Sequence, residues 1–145
     1  MPAYSHILLA VDFSRETDAV AEQALTMCKA LNARLSLVHV VEFVQFDFSS
    51  ELTMPQELEL DQELLELADK RLQRLGEKYG VADCERFVSQ GNTKHEILRI
   101  AKQQKVDLIV IGSHGRQGIQ LLLGSTANAI LHGAPCDVLA VRILD

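Results

Sequence analysis

Five short apolar runs, separated by longer stretches of helical period, leave this chain very few ways to fold. Ile7–Val11, Leu35–Val41, Leu108–Ile111 and Val138–Val141 are almost continuously apolar. Runs of that length without alternation suit strands buried on both faces of a parallel sheet. Cys84–Val88 is more polar and alternates, which suits an edge strand. Between the runs lie helical stripes: Val20, Ala24, Cys28 and Leu31, then Leu64, Ala68, Leu72, Leu75 and Tyr79.

The order is therefore β-α-β-α-β-α-β-α-β, an open, doubly wound, Rossmann-like α/β fold with a five-stranded parallel sheet. Punctuation supports it. Ser14 is expected to cap the first helix, with Glu16 and Asp18 complementing its dipole. Gly80 offers a left-handed residue to end the second. Thr93-x-x-Glu96 reads as a capping box for the third. The last helix is expected from Ser125 to Gly133, with Pro135 just beyond. With 145 residues, 48% of them hydrophobic, residues 1–145 read as one domain whose core needs no disulfide or metal.

Charge and cysteine usage narrow the function classes. A net charge of −6 disfavours a nucleic-acid backbone or an anionic membrane as the main partner. Cys28, Cys84 and Cys136 are scattered without a C-x-x-C pair, the pattern of free thiols in a reducing compartment. No basic segment precedes the first apolar run, as a signal peptide would require. No apolar stretch approaches the roughly 18 residues of a membrane helix. The expectation is a cytoplasmic protein without membrane insertion.

In open sheets of this kind, ligands sit outside the carboxyl ends of the strands at the switch point. That selects residues 12–14, 40–48 and 112–126. The last is glycine-rich: Gly112, Gly115, Gly118 and Gly124, followed by Ser125 and Thr126. Glycines let a backbone approach an anion, and the amides of a helix start, backed by its dipole, favour phosphate. An ordinary turn with an N-cap serine is the alternative. The stretch is not a P-loop, because no Gly-Lys-Ser/Thr follows. Ala10, Val11 and Asp12 close the first strand without a dinucleotide fingerprint. Asp12 reads equally as a ligand contact or as a turn residue. Arg116 reads either as a charge-assisted phosphate donor or as a solvated side chain.

His39, in an apolar run, reads as a core or near-site residue rather than a catalyst. His114 reads as a residue that orients the glycine turn. The histidines form no metal pattern, and no G-x-S-x-G nucleophile elbow occurs. The stretch from Glu42 to Gln56 is the least regular, and it carries Phe43, Phe46 and Phe48. It reads as a lid or docking loop, or as aromatics folded onto the core. Glu57, Glu59, Asp61, Glu63 and Glu66 read as a solvated helix face.

Five segments together resemble the universal stress protein family, along nearly the whole chain. They are Ile7–Ser14, Val38-His39-Val40, Gly112-Ser113-His114-Gly115-Arg116, Leu122-Leu123-Gly124-Ser125 and Ala134–Val141. The resemblance implies strand order 3-2-1-4-5, a bacterial cytoplasmic protein, and a homodimer formed through the last strand, 138–143. One branch of that family binds ATP through Gly-x2-Gly-x9-Gly-Ser/Thr. This chain has Gly112, Gly115, Gly124 and Ser125, with eight residues between the second and third glycines. Carried over, Asp12 lies at the ribose and adenine end, with Ala10 and Val11 below it. Val40 offers its backbone to the adenine edge. Ile111, Gly112, His114, Gly115, Arg116, Gly124, Ser125 and Thr126 surround the ribose and phosphates. Mg²⁺ would arrive with the phosphates. The expected protein is an ATP-binding dimeric stress regulator with an unidentified protein partner; a nucleotide-free dimeric adaptor is the alternative. With no evident catalytic base or phosphate-directed lysine, binding is expected rather than fast turnover.

Overall fold

The computed structural model describes residues 4–42, 54–113 and 124–142, with the backbone alone described at 54–60. The elements run β1 (His6–Ala10), α1 (Thr17–Leu31), β2 (Arg34–Val41), α2 (Met54–Lys78), β3 (Glu85–Gln90), α3 (Thr93–Gln103), β4 (Leu108–Gly112), α4 (Ser125–Gly133) and β5 (Asp137–Val141). All strand pairs are parallel, in order β3-β2-β1-β4-β5. This is the expected fold and order.

Period-2 alternation explains why the central runs are apolar throughout. Ile7, Leu9 and Val11 join Leu37 and Val110 on one face, under Val20, Ala24 and Cys28 of α1 and Leu72 of α2. Leu8 and Ala10 join Val38, Val40, Ile109 and Ile111 on the other, under Ile97 and Ile100 of α3 and Ala127 and Ile130 of α4. Each β1 residue is thus interior on one side or the other, and the strand has no solvent face. β3 and β5 are the edges and are only half-buried.

Local chemistry corrects three expectations. Ser14 does not cap α1, whose N-cap position is Glu16 with no side-chain bond. Ser14 instead heads the turn before it: its Oγ accepts from Glu16 N at 3.3 Å and its carbonyl from Thr17 N at 3.1 Å. The capping box at Thr93 is not formed. Asn92 is the cap, accepting from His95 N at 3.2 Å, and the Glu96 carboxylate turns to the Ser89 hydroxyl and to Arg99. The irregular stretch ends at Met54, where α2 begins, so Gln56 and the acidic run belong to that helix. Gly80, at φ 74°, follows the end of α2 in the left-handed region, as expected.

The sheet's amino-terminal edge is closed by mutual satisfaction of polar groups. Asp107 accepts from Ser5 N, Ser5 Oγ and His6 N at 2.8–3.0 Å. Burial works against its charge, but these donors prevail and hold the carboxyl below its ordinary value. His6, only 4% exposed, sets Nε2 2.7 Å from the buried Ser36 Oγ. Its Nδ1 lies 3.2 Å from the Gln104 carbonyl and 2.9 Å from Arg34 Nη2, so it serves one of them according to tautomer.

Candidate functional site

The opposite, carboxyl edge is built around the switch point between β1 and β4. β1 ends at Ala10, and Val11 continues far enough to donate its amide to the Val38 carbonyl at 2.8 Å. Asp12 then leaves the sheet, exposed, with Oδ1 accepting from Ser14 N at 2.9 Å and Thr17 Oγ1 at 3.5 Å. That Asx turn fixes the carboxylate at the head of α1. Ala10, Val11 and Asp12 line one crevice with Gly112, Ser14, Glu16 and Thr17. The space inside is about 10 Å³, the size of one water, so any larger ligand must sit at its mouth, over the strand ends.

Val40 borders the same edge from β2. Backbone groups of successive strand residues face opposite neighbours. The Val38 carbonyl faces β1, accepting from Val11, whereas the Val41 carbonyl faces β3, accepting from Gly91 N at 3.0 Å. The amide and carbonyl of Val40 therefore face the β1 side, beyond the last β1–β2 pair, Ala10 with Val38. At that level the Val11 carbonyl accepts from His39 Nδ1 at 2.6 Å. A carbonyl only accepts, so this nitrogen carries a proton. His39 thus spends this proton on the backbone at the end of β1.

The third wall is the junction of β4 and α4. Ile111 is 8% exposed and Gly112 pairs with Val141. Buried Ser113 donates its amide to the Val141 carbonyl at 2.9 Å, and its own carbonyl accepts from Gly124 N at 2.6 Å. That bond sets the first turn of α4 against the end of β4. It also commits the Gly124 amide, leaving anion-facing duty to the residues after it. Gly124 is the N-cap of α4, with no side-chain cap bond and no acidic residue in the first turn. The first intrahelical bond runs from Asn128 N to the Gly124 carbonyl, so the amides of Ser125, Thr126 and Ala127 have no acceptor within the helix. Three amides without a helical acceptor, and a dipole end with no acidic residue in its first turn, favour negative charge. His114, Gly115 and Arg116 lie outside the described residues, as do Phe43, Phe46, Phe48 and Ile143.

Phe13 was not singled out by the sequence. It follows Asp12 at φ 57°, a left-handed conformation that costs a bulky residue about 1–2 kcal/mol. Its ring is held by His39, with centroids 4.5 Å apart, and by the Arg71 guanidinium 4.0 Å above it. The clamp sets the backbone that carries Asp12. Asp12-x-Ser14 is a legible Asx signal, but nothing in the sequence links Phe13 to a residue of α2.

Among the described residues, no three His, Cys, Asp or Glu side chains gather as metal ligands. None of the described helices is long and apolar enough to cross a membrane.

A model described as the universal stress protein family matches residues 3–142. Universal stress protein A homolog 2 of Coxiella burnetii is 41% identical over 144 residues, 99% of this chain and 98% of that protein. The structure of universal stress protein UspA from Lactobacillus plantarum superposes with a TM-score of 0.76 at 30% identity, over 96% of this chain and 98% of that one. A universal stress protein solved in complex with cAMP shares the fold, with a TM-score of 0.65 at 23% identity over 96% and 97%.

Proposed function

The chain belongs to the universal stress protein family, and on that footing we propose that it binds ATP at the carboxyl edge of its sheet and acts as a nucleotide-dependent dimeric regulator. The observation that carries the reading is the start of α4, with no side-chain cap bond and no acidic residue in its first turn, bonded back to Ser113. In a chain with 20 acidic residues, none stands in the first turn of that helix. The phosphates would lie over the amides of Ser125, Thr126 and Ala127, with the two hydroxyls as further donors. Asp12 would accept from the ribose, and the Val40 backbone would meet the adenine edge. His114, Gly115 and Arg116 would complete the phosphate side. The triphosphate supplies the charge, and Mg²⁺ would be held by its oxygens rather than by a protein cage. That a family fold holds cAMP in another protein is consistent with an adenine nucleotide here. A cytoplasmic location follows from this reading. β5, a half-buried apolar edge strand, would pair with its copy over 138–143 and cover that edge.

Titration with ATP and Mg²⁺ tests the site, with Ser125→Asp as the discriminating variant. An acid at the first helical position favours the helix but repels phosphate. Saturable binding that weakens at least about tenfold in a variant of undiminished melting temperature supports the reading. The nucleotide-free adaptor has its own support in the committed Gly124 amide. No binding by the folded protein at millimolar ATP selects it.

A further inference from the structure

Behind the Asp12 turn, on the face covered by α1 and α2, lies an open hollow of about 270 Å³ lined by Phe13, Asp18, Arg71, Arg74, Leu75 and Lys78. Its walls carry three cations and one carboxylate. Asp18 is already matched, by Lys78 Nζ at 2.9 Å and Tyr79 OH at 2.7 Å, which hold its carboxyl below the ordinary value. The arginines are different. Arg71 rests on the Phe13 ring, and among the described residues neither Arg71 nor Arg74 has a carboxylate within ion-pair distance. Arg34, Arg86 and Arg99 pair with carboxylates, whereas Arg71 and Arg74 line one hollow together on a protein of net charge −6.

We propose that this hollow is a second anion site, built for the phosphate monoester of a small molecule. Two guanidiniums lining one hollow, beside an ammonium already shared with Asp18, match a phosphate dianion, since arginine donates bidentately to its oxygens. Arg71 is held in place by the ring beneath it, so little freedom remains to be lost on binding. Phe13 and Leu75 give an apolar floor for the ester's organic part, and the hollow's size suits a small ligand. The strained backbone of Phe13 fits this role, because such strain persists at ligand clamps where the surroundings hold it. The proposal does not rest on ATP binding at the switch point.

Phenyl phosphate and inorganic phosphate, each titrated into the ¹⁵N-labelled full chain while the arginine side-chain N–H signals are followed, test it. Saturable shifts at Arg71 and Arg74, with phenyl phosphate binding more tightly than inorganic phosphate, are expected. Arg74→Gln, at a residue with no carboxylate partner among the described residues, should weaken binding about tenfold at unchanged melting temperature. Asp12→Asn should leave it unchanged, which separates this site from the nucleotide site. Shifts that grow linearly without saturation, equal affinity for the two phosphates, or an unaltered affinity in Arg74→Gln would each overturn the proposal.

Discussion

The two edges of this sheet are made from the same five strands and meet water in opposite ways. At the amino edge, Asp107, Ser5, His6, Ser36 and Arg34 satisfy one another. At the carboxyl edge the sequence leaves groups presented outward: a carboxylate held at the head of α1, the Val40 backbone past its ladder, and a helix start without a cap. The difference separates residues that lock the fold from residues placed at the candidate site.

The largest effect that would test this division is at the closed edge. Asp107→Ala strands the amides of Ser5 and His6 and should cost about 2–3 kcal/mol in urea unfolding. If ATP binds as proposed, the rise in melting temperature on adding it should survive in that variant. If the rise disappears with the stability, the edges are not independent.

Next in size is the pair of helix starts. Asn92→Ala removes the cap of α3 and should destabilise by about 1 kcal/mol. Gly124→Asn supplies α4 with the cap it lacks; it should change stability by only a few tenths of a kcal/mol while weakening ATP, because the new side chain competes for the same amides. Unweakened ATP affinity in that variant would argue that those amides do not face the nucleotide.

The smallest expected effect is on pH. Burial, and then the Arg34 guanidinium, hold the His6 imidazole below its ordinary value. The unfolded chain therefore takes up this proton first, so stability falls as pH drops through roughly 6.5 toward the folded value. Urea midpoints between about pH 8 and 5 should fall further for the wild type than for His6→Asn. Parallel curves would remove His6 as the cause.

The fold was legible because its central strands are buried on both faces, which writes Ile7–Val11 and Leu108–Ile111 as unbroken apolar runs. The start of α4 at Ser125 was legible from its glycine and hydroxyls. The N-caps of α1 and α3 fall two and one positions from Ser14 and Thr93, at Glu16 and Asn92. Whether Asn92 or Thr93 caps α3 depends on which residue still has extended backbone, here Asn92 at ψ 125°, and both residue types cap well. Ser14 likewise lost its role to the turn that Asp12 nucleates. The Phe13 clamp was illegible for a different reason: Arg71 reaches it only because α2 crosses beside the switch point, a tertiary fact with no local signature.

The bond from Gly124 N to the Ser113 carbonyl ties the two ends of the intervening segment together at its neck. A segment pinned in this way can gain or lose a residue without disturbing what it joins, and doubling its length adds only about 0.6 kcal/mol of closure entropy. The length of the stretch between the two pins is thus uncoupled from the aim of the helix behind it, a matter of tailoring rather than of architecture.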